Sequence, residues 1–369
     1  MSREARLLFI AVYALVSLGI VMTYSASAIY ADAMFKNPTY FLERHLLYAG
    51  VGTLFLFFAA GLNPYLWREH AREIVFFSLI LLVLVLIPVL GHQAGGARRW
   101  IRLGPLNFQP AEISKVAICL YLADYLSRRI KGIQRGELSV LLPPLLILGL
   151  TCGLILLEPD LGSSVFIFLV AATLFFLAGI RFRYVFLAAL FFVPAIGFLI
   201  IKAPYRLSRV TAYLNPWSDP QGSGFQIIQS LLAFGAGGVK GVGLGESTQK
   251  LFYLPQSYND FIFSIIGEEL GLIGTLFVVF LYGVILWSGL KIAYRARGNY
   301  EKLFVISMLL LIVLQAAVNM LVATGLIPTK GLPLPFVSYG GSSLVFNLLA
   351  VGLLLAMDRA IQGGHTAIK

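Results

Sequence analysis

The sequence predicts an all-α polytopic membrane protein, and three observations carry that prediction. Of 369 residues, 59 % are hydrophobic and 12 % charged, against about 45–50 % and about 25 % in an ordinary soluble domain. Mean hydropathy is +0.86, which excludes a water-soluble globular enzyme and equally a disordered chain. The apolar residues also gather into runs of roughly 20, the length that crosses a bilayer as a helix. Such runs fall at residues 7–30, 45–62, 74–91, 111–126, 138–157, 162–180, 184–201, 261–290, 303–325 and 336–357. About ten transmembrane helices are expected, in a single integral membrane domain spanning residues 1–369. The fourth run is short and contains Glu112 and Lys115. Arg3 and Arg6, an apolar run and then Ala26-Ser27-Ala28 have the outline of a cleavable signal, but the run is longer than a signal core.

Orientation follows from Lys and Arg in the short loops. With both termini cytoplasmic, sixteen cations lie inside and six in short outer loops. The segment 202–259, between expected helices 7 and 8, becomes one long extracytoplasmic loop; its five cations weigh little, because long loops contribute little to topology. The net charge of +11 therefore reads as helix orientation and contact with anionic membrane lipids, with no nucleic acid implied. Cys119 and Cys152 both fall in apolar runs and suit neither a disulfide framework nor a metal site.

The unusual residues lie on the outer face, in segments 95–109, 202–259 and 324–343. A connector as long as 202–259 is a functional loop or a small folded cap. Within it, residues 225–234 have helical apolar spacing and read as a short interfacial helix. Residues 235–245 contain six glycines; they are either a flexible hinge or a backbone nest for a pyrophosphate. Asp260 opens the next span, where a carboxylate either caps the helix or acts as a general base at the membrane mouth. Glu268 and Glu269 lie deeper in the same run, where charge is expensive and faces a cavity or a partner. Glu112 and Lys115, at i,i+3, either neutralise each other or line a polar cavity. Glu158-Pro159-Asp160 forms an acidic outer turn opposite Arg98 and Arg99, for which an ion pair is the simple expectation. Clustered cations, glycines and a few carboxylates on one face suit a diphosphate-bearing, lipid-linked substrate. The four histidines are scattered, and neither H-E-x-x-H nor G-x-S-x-G occurs.

Several stretches occur in one order along the chain: residues 96–115 (GARRWIRLGPLNFQPAEISK), 158–162 (EPDLG), 215–220 (NPWSDP), 226–230 (QIIQS), 241–245 (GVGLG), 249–255 (QKLFYLP), 260–263 (DFIF) and 328–343 (PTKGLPLPFVSYGGSS). Together they resemble the SEDS family (shape, elongation, division and sporulation proteins) over nearly the whole chain, the division and sporulation branch more than the elongation branch. The resemblance implies a ten-helix, inverting peptidoglycan glycosyltransferase of the bacterial plasma (inner) membrane. It would polymerise lipid II on the extracytoplasmic face and release undecaprenyl diphosphate. Asp260 stands at the acidic residue of the family's L-P-E-x-x-T-D-F motif, which implies the catalytic role. The chain departs from that motif at Gln256, where Glu is usual, and at Asn259, where Thr is usual. Around Asp260, the resemblance implies that Arg98, Arg99, Gln249, Lys250, Lys330, Ser338 and Tyr339 contact the substrate diphosphate, with or without a divalent cation (Mg or Mn). Glu112, Lys115, Asp160 and Glu269 would be the charges of the polar cavity. The implied partners are a class B penicillin-binding protein (transpeptidase) and other divisome proteins. Two alternatives stand beside the enzyme: a lipid II flippase and a non-catalytic divisome scaffold.

Overall fold

The computed structural model describes residues 1–363, except Gly95, Pro105, Phe252, Gln256 and Lys330. The first helices are α1 (Arg3–Phe35), α2 (Tyr40–Gly61), the short α3 (Pro64–Glu69) and α4 (Ala71–Leu86). Three strands follow, β1 (Gly91–Ala94), β2 (Ala97–Leu103) and β3 (Leu106–Phe108). Then come α5 (Pro110–Arg135), α6 (Leu138–Leu157), α7 (Leu161–Leu177), α8 (Phe182–Ile201), α9 (Pro204–Leu214) and α10 (Phe225–Gly237). The chain ends in α11 (Ile262–Arg295), α12 (Asn299–Ala323) and α13 (Gly341–Gln362).

Each of the ten apolar runs falls on a helix, and among the described residues seven helices are both long and apolar enough to cross a membrane. The other three fall short for physical reasons visible in sequence. α4 and α7 have 16 and 17 residues, and α5 buries Glu112, Lys115 and Asp124, so protein rather than lipid must surround it. α10 lies where the interfacial helix was expected.

The chain is not all-α. Residues 91–108 fold as an antiparallel sheet in the order β1-β2-β3, with Ala94 opposite Ala97 and Leu103 opposite Leu106. The signal was present: a Gly-Gly dipeptide between two short runs is a hairpin marker.

Close helix packing depends on small residues, because backbones can then approach without a hydrophobic drive between helices. A Cβ at Gly352 of α13 would come 2.3 Å from the Leu56 carbonyl oxygen of α2, and one at Gly19 of α1 would come 2.5 Å from that of Phe336. The start of α1 and the end of α13 lie together, since Ser2 N donates to Asp358 Oδ2 at 2.9 Å. The end of α1 instead reaches the segment that precedes α11, where Ser257 Oγ donates to the Ala26 carbonyl at 3.2 Å.

The glycine segment 235–245 is neither of the two things expected. α11 breaks at Gly271 (φ 65°, ψ −161°), which strands the carbonyls of Glu268 and Glu269 and the N–H groups of Leu272 and Ile273 that an unbroken helix would pair. The glycine segment crosses the break and satisfies all four. Val242 N and Gly243 N donate to the Glu268 and Glu269 carbonyls at 2.9 and 3.1 Å, and Leu272 N and Ile273 N donate to Gly238 and Val239 at 2.9 and 3.3 Å. Glycine is required because the two backbones touch: a Cβ at Gly241 (φ +81°) would sit 2.1 Å from the Glu269 carbonyl oxygen. These N–H groups are already spent on protein carbonyls, so they are not a free phosphate nest.

Candidate active site

The backbone leading to Asp260 is held by three consecutive carbonyls. Tyr339 N donates to the Tyr258 carbonyl at 3.0 Å, Ser338 Oγ to Asn259 at 2.6 Å, and Asn319 Nδ2 to Asp260 at 2.9 Å. Ser338 and Tyr339 thus position the segment through its main chain. The Tyr339 ring also packs edge-on against Tyr258 and Phe41, with centroids 6.0 and 5.0 Å away. The capping alternative for Asp260 does not hold: Phe261 occupies the cap position of α11, and no side chain bonds the first turn. Among the described residues the Asp260 carboxylate makes no hydrogen bond, and a Cβ added at Gly331 would be 3.5 Å from Oδ2. Burial pushes its pKa up to about 6, with Arg209 and Arg99 pulling it down and Asp160 adding to the rise.

Those three neighbours come from three separate elements. Arg99 lies on β2, Asp160 caps α7 by accepting from Ser163 N at 3.0 Å and Ser163 Oγ at 2.8 Å, and Arg209 lies on α9. Arg99 does not pair with the acidic turn as expected. Its Nε donates to the Glu158 carbonyl at 2.9 Å and its Nη2 to the Pro159 carbonyl, so the guanidinium clamps the backbone of the turn. The Glu158 carboxyl is fully buried without a hydrogen-bond partner among the described residues. Burial, and then Asp160, push its pKa up to about 9, which leaves it neutral at pH 7. Arg98 precedes Arg99 on the same strand, where β2 bulges against β1, and it is not among the charges acting on Asp260. Arg209 was missed by sequence reasoning, which counted it only as a loop cation. Its signal was the position of Tyr205 and Arg209 one turn apart on a short helix, Tyr205 donating to the Pro159 carbonyl at 3.5 Å.

Lys250 is not available to a diphosphate. It is buried, and its Nζ contacts Glu269 Oε1 at 3.1 Å, the Gly245 carbonyl at 2.5 Å and Ser25 Oγ at 3.4 Å. Ser25 Oγ in turn lies 2.7 and 2.8 Å from the two Glu269 oxygens. Glu268 accepts from Ser247 Oγ and, at 2.9 Å each, from Thr248 N and Oγ1. Both acids therefore tie the loop to the break in α11. Gln249 Oε1 is buried without a hydrogen-bond partner among the described residues. Glu112 and Lys115 form an ion pair at 2.8 Å, and Lys115 also donates to Gln315 Oε1 at 3.0 Å. The pair borders a void of only about 10 Å³, so of the two readings self-pairing is the one the geometry shows. Lys330 and Gln256 lie outside the described residues.

Residues 5–362 match the FTSW_RODA_SPOVE family model, described as cell cycle protein. The chain belongs to this family. Among its FtsW/RodA/SpoVE relatives, the probable peptidoglycan glycosyltransferase FtsW of Trichlorobacter lovleyi is 43 % identical over 96 % of this chain and 93 % of its own. The stage V sporulation protein E of Bacillus subtilis is also 43 % identical, over 96 % of both chains. A solved structure titled "Structural coordination of polymerization and crosslinking by a peptidoglycan synthase complex" is similar with a TM-score of 0.79, 31 % identity, and coverage of 96 % of this chain and 97 % of that one. The crystal structure of Thermus thermophilus RodA gives 0.70 at 27 % identity, over 96 % of each chain. The multi-pass helical character expected from hydropathy is that of the family.

Among the described residues no three His, Cys, Asp or Glu side chains come together as a cation site. Of the acids near Asp260, Asp160 is engaged in capping α7 and Glu158 is fully buried. This donor set does not fit a resident Mg or Mn ion, and no chemical step here runs through one.

Proposed function

We propose that this chain is a peptidoglycan glycosyltransferase that polymerises lipid II, in division or sporulation, on the extracytoplasmic side of the bacterial plasma membrane. The observation that carries this reading is Asp260: a carboxylate at the head of α11 with a fixed backbone, no hydrogen-bonded partner among the described residues, and a pKa raised to about 6. That is the state suited to a general base near neutral pH. The names of its relatives, and the synthase complex among similar structures, supply the substrate class. Asp260 takes the proton from the 4-hydroxyl of the acceptor GlcNAc, and that oxygen attacks C1 of the donor MurNAc with inversion. Undecaprenyl diphosphate departs as an anion that needs little acid assistance. Arg99 and Arg209, the two cations acting on Asp260, would oppose the negative charge that develops on the departing diphosphate. A class B penicillin-binding protein is the partner this reading implies. Against the flippase alternative, the buried charges that a transport path would use are paired within the protein, Glu112 with Lys115 and Glu269 with Lys250 and Ser25.

The deciding experiment is polymerisation of labelled lipid II by the purified protein, with and without a cognate class B penicillin-binding protein. Glycan strands in either arm support the reading; their absence from both, alongside lipid II translocation in vesicles, would replace it with transport.

Two expected results follow from the electrostatics. The ionised form of Asp260 is the base, so the rate should rise with pH through about 6 and level off above it. Below that midpoint it falls about tenfold per unit, as the ionised fraction does. A flat profile from pH 5 to 8 would exclude Asp260 as the titrating base. Arg209→Gln removes a positive charge that lowers the Asp260 pKa. The midpoint of the profile should therefore move up, and the plateau rate should fall by about 10²-fold as leaving-group stabilisation is lost. Rate profiles of the two proteins measured side by side check both effects.

A further inference from the structure

At the end of the molecule opposite Asp260, α1, α2 and α13 leave a groove of about 420 Å³, within the range of about 300–1,000 Å³ found for ligand sites. Phe9, Ile10, Phe57 and Leu355 form its apolar wall, and Arg6 and Arg359 complete it. Each arginine lies one helical turn beyond the wall, Arg6 before Phe9 and Ile10, and Arg359 after Leu355. We propose that this groove binds an anionic phospholipid of the leaflet remote from Asp260, with its phosphate between Arg6 and Arg359 and an acyl chain along the apolar wall.

These two arginines are the Lys and Arg side chains that line the groove, and neither is neutralised among the described residues, whereas several cations nearby are. Arg68 and Arg128 share Asp124 at 2.9 and 2.6 Å, and Arg295 pairs with Glu4. No carboxylate pairs with Arg6 or Arg359 among the described residues. The neighbouring Asp358 is buried and occupied, accepting from Ser2 N at 2.9 Å and Gln362 Nε2 at 3.0 Å. The wall is equally unmet: Ile10 is 62 % and Phe57 57 % exposed. A pair of guanidiniums recognises a phosphate through charge-assisted, bidentate hydrogen bonds, and the adjoining apolar channel takes the chain that the phosphate carries. A soluble phosphate would leave the wall bare, a zwitterionic lipid brings no net charge to the arginines, and a transmembrane protein helix would cover the wall and leave the arginines unmatched.

Native mass spectrometry of the full-length protein, equilibrated in detergent with phosphatidylglycerol or phosphatidylcholine, tests this. The wild type should retain phosphatidylglycerol over phosphatidylcholine by about tenfold or more, and glycerol phosphate should not displace it. Arg6→Gln/Arg359→Gln should lose the preference, and Arg6→Lys/Arg359→Lys should keep most of it. Gly61→Phe should weaken retention of both lipids with the arginines intact, because Gly61 lines the groove and has open space around its Cβ position. Elution volume and thermal midpoint in lipid-free detergent confirm that each variant is folded. Equal retention of the two lipids by the wild type, as expected if a protein helix is the natural occupant, overturns the proposal. So does an undiminished preference in the folded glutamine variant, or displacement by glycerol phosphate.

Discussion

Asp260→Asn is expected to reduce glycan polymerisation by about 10²–10⁴-fold, the contribution of a positioned general base, while leaving the protein as stable as the wild type. The stability half of the expectation follows from the hydrogen bonds. Everything that fixes residue 260 acts on its backbone, through Asn319, and through Ser338 and Tyr339 at the two preceding residues. The carboxylate itself bonds nothing among the described residues, so its replacement by an isosteric amide removes a proton acceptor and no contact. The midpoint near pH 6 should vanish with it, leaving a residual rate without that titration. The assay is lipid II polymerisation across pH, with the thermal midpoint measured on the same preparation. A variant that polymerised at the wild-type rate would remove Asp260 from the mechanism.

Lys250→Met should act in the opposite manner, through stability. Lys250 and Glu269 are both buried and 3.1 Å apart, and truncating one partner leaves the other as an uncompensated charge. That loss costs about 3–5 kcal/mol, whereas replacing both partners with neutral groups of similar size is often tolerated. Lys250→Met/Glu269→Gln should therefore recover most of the stability that Lys250→Met loses, and polymerising activity with it. If Lys250 instead held a diphosphate, the single variant would keep its thermal midpoint and lose activity, and the double variant would recover nothing. Thermal unfolding in detergent and polymerisation of the three proteins separate these outcomes.

Much of the architecture was legible because hydropathy is summed over consecutive residues. Every apolar run of about 20 became a helix, and the amphipathic 225–234 stretch became α10. Two local signals were misread. The Gly95-Gly96 dipeptide marks a hairpin even in a membrane protein, and the crowded glycines of 235–245 serve close backbone contact with α11. The site was legible only in part. Asp260, Arg99 and Asp160 were all singled out, and the structure brings the charges of the other two to bear on the Asp260 carboxyl. Arg98, one residue from Arg99, is not among the charges acting on Asp260, and the bulged strand that separates the two is not legible in a run of adjacent arginines.

Composition and the order of motifs along the chain were enough to establish a helical, multi-pass membrane protein of the FtsW/RodA/SpoVE family and to single out Asp260. Which cations lie near it is decided by three-dimensional packing. Arg209 acts on the Asp260 carboxylate and Lys250 pairs with Glu269 because partner choice depends on which elements meet across the bundle. Lys250 meets Ser25 of α1 and Glu269 of α11, 225 and 19 positions away. Hydropathy adds up locally, but a buried charge takes whatever counter-charge the fold brings within about 4 Å of it, and that proximity is written in no single stretch of sequence.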